Sequence, residues 1–400
     1  MDQTTEDVIA LLDRFVSCDS SNPGVGEAEM AGLVVDDARS RGFDVRVVEG
    51  TPGRPNVLVD VVAGPGPALA LNGHLDTKAI GDALPLWTND PWELTIDGDR
   101  AYGVGTSDMK GAIAAMLIAT ERWARNAERG RVQLVFSADE ETGGEHGAAL
   151  LSARREIDAD AMILGEPAGV SGSWDALYTI SRGVTCFEVV LHGKQGHSGL
   201  SGLLGPSATV AAARCIGALA DFRPDHPAAD GIRVSPTVNA AVSMDGGVFY
   251  GVHPGLASFR TDIRLVPGME RDHLTGELKE LLDATVPEGI AYELDFEEGA
   301  RGWCPPAGID TGHPLVESAR LAAREVLGRD LLPAAYPGGT DASHFALAGG
   351  TPCIAAFGPG LLSVAHGADE YVPVDDLARA VDLFETTIRN YCERSAPDEG

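Results

Sequence analysis

The sequence predicts an α/β protein: a mixed sheet covered by helices on both faces, with a small ferredoxin-like α+β domain inserted into it. Three features point there. Apolar, β-branched runs alternate with stretches of helical spacing through the first 182 residues, and the same alternation returns over the last hundred. Between them the elements come in the order β-α-β-β-α-β, which is the split ferredoxin-like pattern.

Taken in order, apolar spacing predicts helices over 5–17 and 27–41, and runs bounded by Gly and Pro predict strands at 43–49, 56–62 and 68–73. A helix over 109–126 and strands near 132–138 and 161–165 follow. The middle reads differently. Residues 184–193 (VTCFEVVLHG) alternate like a half-buried strand, 206–221 read as a helix, and strands at 234–244 and 255–265 precede a helix at 270–284 and a strand at 290–296. A helix at 313–327, an apolar run at 352–357 and a helix at 375–392 close the chain. Joints near 182 and 298 divide it into a discontinuous domain, 1–182 with 298–400, and an inserted one, 183–297. A length of 400 residues suits two cores.

Composition narrows the function. A net charge of -30 repels phosphate backbones and anionic membrane surfaces, so neither nucleic acid nor membrane is expected as a partner. No run approaches the ~20 apolar residues of a membrane span. The start, MDQTTEDVIALL, is acidic and lacks the basic opening of a secretory signal. Six cysteines are scattered without a Cys-x-x-Cys pair, which suits reduced thiols in the cytoplasm. Cys392 reads as the most exposed of them.

Several acid and imidazole side chains fall just past predicted strands, where open α/β sheets bind ligands. His74 and Asp76 lie in NGHLDT at one strand end: the histidine can offer one ring nitrogen to a metal, and Asp76 can hold the other. Asp108 lies in YGVGTSDMKG. The third Rossmann glycine is missing there and the Walker spacing fails, so a nucleotide loop is excluded. Ser107 or Asp108 can cap the next helix, and the two oxygens of Asp108 can also bridge two cations. Glu140 and Glu141 follow the strand RVQLVFSAD; adjacent side chains diverge, so one can bind metal while the other faces substrate. Glu166 follows another apolar strand, and His366 lies in SVAHGADE. Two histidines and three carboxylates at strand ends match the donors of a dinuclear hydrolytic site.

With the blocks NGHLDT, GVGTSDMKG, SADEETGG, LGEP, GKQGHSG, PGGTDASHF and SVAHGADEYVP in this order, the whole chain resembles the dinuclear-zinc peptidases and deacylases. That family includes acetylornithine deacetylase, succinyl-diaminopimelate desuccinylase, aminoacylase and carboxypeptidase G. The resemblance implies a zinc-peptidase-like catalytic domain and an inserted lid that also makes a homodimer. It implies two divalent cations, zinc first, with cobalt or manganese also suited to the donors. His74 and Glu166 would be the terminal ligands of one ion, Glu141 and His366 those of the other, and Asp108 the bridge. Glu140 would be the general base toward a water held between the ions, and Asp76 the partner of His74. His197, in GKQGHSG, would stabilise the oxyanion, often in the partner subunit's site.

Asn239 and Arg264 fall where the family contacts the substrate carboxylate and carbonyl, with Arg182, Gly339 and Thr340 as further candidates. Lys194 with Arg264 is the local positive charge available for an acidic substrate. Asp262 offers Arg264 an alternative, an ion pair on the strand surface. The implied substrate is a small N-acyl amino acid or a peptide. A di- or carboxypeptidase shares these motifs. A non-catalytic metal or small-molecule binder on the same fold would have no need of Glu140.

Overall fold

The computed structural model describes residues 2–227 and 231–394. Residue 1 and residues 395–400, at the ends of the expected discontinuous domain, and the stretch 228–230 inside the inserted one, lie outside the described residues. The chain divides into two compact units, one of 1–181, 307–336 and 340–400, the other of 182–306 with 337–339.

In the first unit come helices α1 (Gln3–Val16) and α2 (Ala28–Ser40) and strands β1 (Asp44–Glu49), β2 (Pro55–Val62) and β3 (Ala68–His74). Helix α3 (Gly111–Ala124) and strands β4 (Arg131–Ser137) and β5 (Ala161–Leu164) follow. The second unit carries β6 (Gly183–His192), α4 (Ala208–Asp221), β7 (Thr237–Gly246), β8 (Leu256–Leu265), α5 (Arg271–Thr285) and β9 (Ala291–Phe296). The chain then returns to the first unit with α6 (Pro314–Val326), β10 (Cys353–Ile354) and α7 (Val374–Cys392).

The first unit's sheet has the order β1-β2-β4-β3-β5-β10. β4, β3, β5 and β10 run parallel, and β1 and β2 join antiparallel, so the sheet is mixed. Alternation along the strands sends successive side chains to opposite faces. Leu69, Leu71, Leu134, Phe136 and Ile163 pack with α1, α2, α3 and α7 on one side; Ala70, Val135, Met162 and Leu164 pack with Leu151 and Phe345 on the other. Both faces are dry, which is why β3 and β5 read as unbroken apolar runs. The register of β3, β4 and β5 brings His74 level with Ser137 at one edge of these strands. That edge carries the chemistry.

Helix ends have local causes. Asp2 caps α1 by accepting the Thr5 N–H, and Pro314 opens α6 where a missing N–H costs nothing, with the His313 ring accepting from Leu315. Cys392 is fully buried, contrary to its exposed appearance in the sequence. The last turn of α7 lies against Gly130, where an added Cβ would meet Cys392 Cβ at 2.5 Å.

The second unit is an antiparallel sheet in the order β7-β8-β6-β9, with Leu219, Leu274, Leu278 and Leu282 of α4 and α5 packed against Phe187, Val189, Phe259 and Ile263. It reaches past residue 298 because Cys304 and Val184 exchange backbone hydrogen bonds. Among the described residues no single helix is long and apolar enough to cross a membrane.

Candidate active site

His74 ends β3, Glu140 and Glu141 sit three and four residues after β4, and Glu166 sits two after β5. Asp108 lies in the turn before α3 and His366 in the loop before α7. These six side chains, all in the first unit, converge.

The centre is Asp108. Its Oδ1 lies 3.0 Å from His74 Nε2, and its Oδ2 lies 3.2 Å from His366 Nε2. The two carboxylate oxygens therefore face two different imidazoles. His366 Nε2 is also 3.2 Å from Glu141 Oε1, and His74 Nε2 is 3.9 Å from Glu166 Oε1. Ligand atoms of His74, Asp108 and Glu141 lie within 4.8 Å of one another, and so do those of His74, Glu140 and Glu166. Donors bound tetrahedrally to one zinc at ~2.0–2.2 Å stand ~3.3–3.6 Å apart, so the separations of 3.0–3.2 Å around Asp108 are close to what a shared cation needs. The nitrogen and carboxylate chemistry fits as well.

Electrostatics tell the same story. Burial penalises a charged His74, yet the Asp108 hydrogen bond and the surrounding carboxylates outweigh it and hold its pKa well above the usual range. His366, bonded to Asp108 and Glu141, is raised to about 10. Burial, then Glu166, pushes Glu140 well above the usual carboxylate range, and burial, then Asp108, does the same to Glu166. Asp108 is also buried, but the hydrogen bonds from the two histidines hold its pKa far below normal. An acid cluster with this little cationic compensation is a place prepared for positive charge.

Asp76 meets His74 through its backbone carbonyl and not its carboxylate. His74 Nδ1 donates to the Asp76 backbone carbonyl at 2.9 Å, while the carboxylate stays 3.7 Å away. The carbonyl fixes the tautomer and leaves Nε2 for a metal. The carboxylate instead accepts the backbone N–H groups of Glu140 (3.2 Å) and Glu141 (3.1 Å) and the Asn22 amide (2.9 Å). The turn's two amides reach it before the imidazole does. No side-chain cap holds α3 either: its N-cap position is Lys110, and the Ser107 and Asp108 side chains bond elsewhere.

Three neighbours had no assignment from sequence. Glu370, buried, accepts the N–H groups of Gly105, Ser107 and Asp108 and so ties the Asp108 turn to the His366 loop. Lys78 donates to the Glu141 carbonyl at 2.6 Å and lines a cleft with Ile80, Ala83, Trp87 and His366. Tyr336 is buried, and its hydroxyl finds no hydrogen-bond partner among the described residues. Glu370 stands inside the quoted SVAHGADEYVP block, four residues after His366, and that spacing was the available signal.

Thr340 is buried in the first unit, where its N–H and hydroxyl bond the Ser181 hydroxyl. His197, Arg182, Asn239, Arg264 and Gly339 belong to the second unit. There His197 is exposed, pairs with Val252 in a short antiparallel bridge, and its Nδ1 accepts the Gly199 N–H. Asn239 donates to Asp262 at 2.8 Å, and Arg264 stands 3.8 Å from the same carboxylate, so the strand-surface pairing considered for Arg264 is present. Arg182 reaches the Thr237 hydroxyl.

A mixed α/β sheet that gathers imidazoles and carboxylates around one bridging acid at its strand ends belongs to the class of metal-dependent hydrolases. Within that class the chain belongs to the peptidase family M20/M25/M40, whose model matches residues 70–390. It is similar to the N-acetyl-L-citrulline deacetylase of Xanthomonas campestris pv. campestris, 31% identical with 94% of this chain and 96% of that one covered. It is also similar to the succinyl-diaminopimelate desuccinylase of Corynebacterium glutamicum, 28% identical with 93% of each chain covered. Its fold is that of the M20 family metallo-carboxypeptidase Sso-CP2 from Sulfolobus solfataricus, at a TM-score of 0.80, 21% identity, and coverage of 98% of this chain and 99% of that one.

Proposed function

We propose that the protein hydrolyses the amide bond of a small N-acyl amino acid, with His74 and Glu166 holding one divalent cation, Glu141 and His366 a second, and Asp108 bridging them. The observation that carries this reading is the placement of the two Asp108 oxygens against two separate imidazoles. Zinc is the preferred ion on donor chemistry. When bound, such ions polarise a carbonyl and lower the pKa of water from ~15.7 toward ~7.

The chain's own residues do the rest. Glu140, beside Glu166 and half-buried, takes the proton from the attacking water and passes it to the leaving nitrogen. Asp76 holds Glu140 and Glu141 by their amides, so base and ligand are aimed by one carboxylate. His197 is assigned the oxyanion, and Asn239, Arg264, Arg182, Gly339 and Thr340 the substrate's carboxylate and carbonyl, on the family resemblance alone. The deacylase reading draws on the curated relatives, which are deacylases over nearly their full length.

A homodimer through the second unit is supported by the edge position of β7 and by Phe249 and Tyr250, which are 75% and 93% exposed. Sedimentation should give twice the chain mass, and Tyr250→Glu should shift it toward the monomer. The cytoplasm is the proposed compartment, supported by cysteines scattered through the sequence without a Cys-x-x-Cys pair.

The test is amine release from acetyl, succinyl and formyl amino acids and from dipeptides, with metal-loaded protein and with chelator. Chelator-sensitive release from an acyl amino acid is expected; release from dipeptides alone would move the assignment to a peptidase. Glu140→Ala should lose ~10²–10⁴ in kcat while metal content stays near normal. A variant that keeps most of its turnover would remove Glu140 from the role of base.

A further inference from the structure

Glu140 and Glu141 are neighbours in sequence with different tasks, so the backbone that carries them must be held to one conformation. That backbone departs from Asp139, whose φ of 71° lies in the left-handed region, sparsely used by residues with a side chain. The surroundings over-determine it. The Asp139 N–H donates to Glu27 Oε1 at 3.0 Å, and its Oδ1 accepts Arg54 Nη2 at 2.8 Å and the Asn22 amide at 3.1 Å. The Thr142 hydroxyl also donates to Oδ1, and Oδ2 accepts the His146 N–H at 3.0 Å.

Glu27 and Arg54 stand out in this set. Glu27 sits at the start of α2, where an acidic side chain ordinarily faces water and the helix's free N–H groups. Here it makes no capping bond and is fully buried. Both of its oxygens turn to Arg54, with Nε 2.7 Å from Oε2 and Nη2 2.7 Å from Oε1. Arg54 comes from the turn between β1 and β2, and its fork spans Glu27 and Asp139. Removing such a cation leaves two buried carboxylates against each other, and one must take a proton or move. The Asn22 amide then joins Asp139 to Asp76, the carboxylate that holds the Glu140 and Glu141 amides.

We infer that Glu27 and Arg54 are positioning residues, an ion pair of a buried acid with a partly exposed cation that fixes Asp139 in its left-handed turn and thereby aims Glu140 and Glu141. Neither touches the reacting atoms; both act through Asp139 and Asn22. The inference rests on the roles proposed above for Glu140 and Glu141. A displacement of ~1 Å at reacting groups costs up to ~10² in rate, which sets the size of the effect.

The test compares Arg54→Met, Arg54→Lys and Glu27→Gln with Arg41→Met as control. Arg41 pairs with Asp37 and Glu121, away from the catalytic residues. Two readouts are taken: kcat and KM on the substrate found by the amine-release panel, and native-state hydrogen exchange of the Glu140 and Glu141 amides. For Arg54→Met, kcat should fall about 10–100-fold with KM within about twofold, and the two amides should exchange about tenfold faster. Arg54→Lys should recover part of both, and Arg41→Met should change neither. Glu27→Gln keeps the size and one acceptor oxygen, so it carries the test if Arg54→Met does not fold. Unchanged amide exchange in the Glu27 and Arg54 variants overturns the inference, as does unchanged kcat in a protein that turns over. If the wild type hydrolyses nothing in the panel, the proposed function fails, and the exchange result alone decides the positioning role.

Discussion

Asp108 shows how much one side chain is asked to do. It is buried, it takes a histidine on each oxygen, and its own N–H is tied to Glu370. Asp108→Ala should strip both cations, because each loses a shared ligand and neither remaining set keeps full coordination; elemental analysis finding two ions in that variant would contradict a bridge. The histidines set the pH dependence. A raised pKa means that metal-free protein carries a proton on His366 until the pH nears about 10, and the proton must leave before a cation enters. Metal affinity should therefore rise with pH between 6 and 9, by about tenfold per unit for each proton displaced. Calorimetry in buffers of different ionisation enthalpy should show net proton release on binding. Much of this cage was legible in the sequence, since each member follows an apolar strand or stands in a glycine-marked turn. The roles of Asn22, Glu27 and Arg54 were not. Their contacts are set by how three separate segments close over Asp139, and no local pattern records that. That Asp76 meets His74 by its carbonyl was not legible either, because its carboxylate is taken by amides of a turn 64 residues away.

At the scale of elements, the central strands were legible because both faces of the sheet are dry, so apolar runs and their Gly and Pro borders coincide with the strands. The apolar run at 352–357 is a strand only at Cys353–Ile354, along the edge of β5; Pro352 and Phe357 still bond Met162 and Leu164 of β5, and Ala355 turns to Tyr178. The start of α3 was less legible, because Asp108 looks like a cap and is used otherwise. Helix α7 supplies the clearest energetic test. Leu377 is fully buried where α7 crosses Gly111 at the start of α3. Leu377→Ala should cost about 2–5 kcal/mol in denaturant unfolding while leaving the site's residues in place. A change within ~0.5 kcal/mol would show that this contact contributes little to stability.

At the scale of the whole molecule, a charge of -30 acts on everything at once. Self-repulsion opposes the folded state and screening relieves it, so raising NaCl from 0.05 to 0.5 M should raise the thermal midpoint by about 2–4 °C. A fall would mean that attractive pairs dominate the surface. Into the same acidic protein the fold sets a further cluster of buried carboxylates, which two imidazoles and Lys78 leave short of positive charge. That imbalance is the central claim: the cage exists to hold a pair of cations. The direct measurement is metal stoichiometry after dialysis of the wild-type protein against zinc. Two ions per chain are expected, lost together on chelation; a protein that retains none, with the fold intact, would contradict the account.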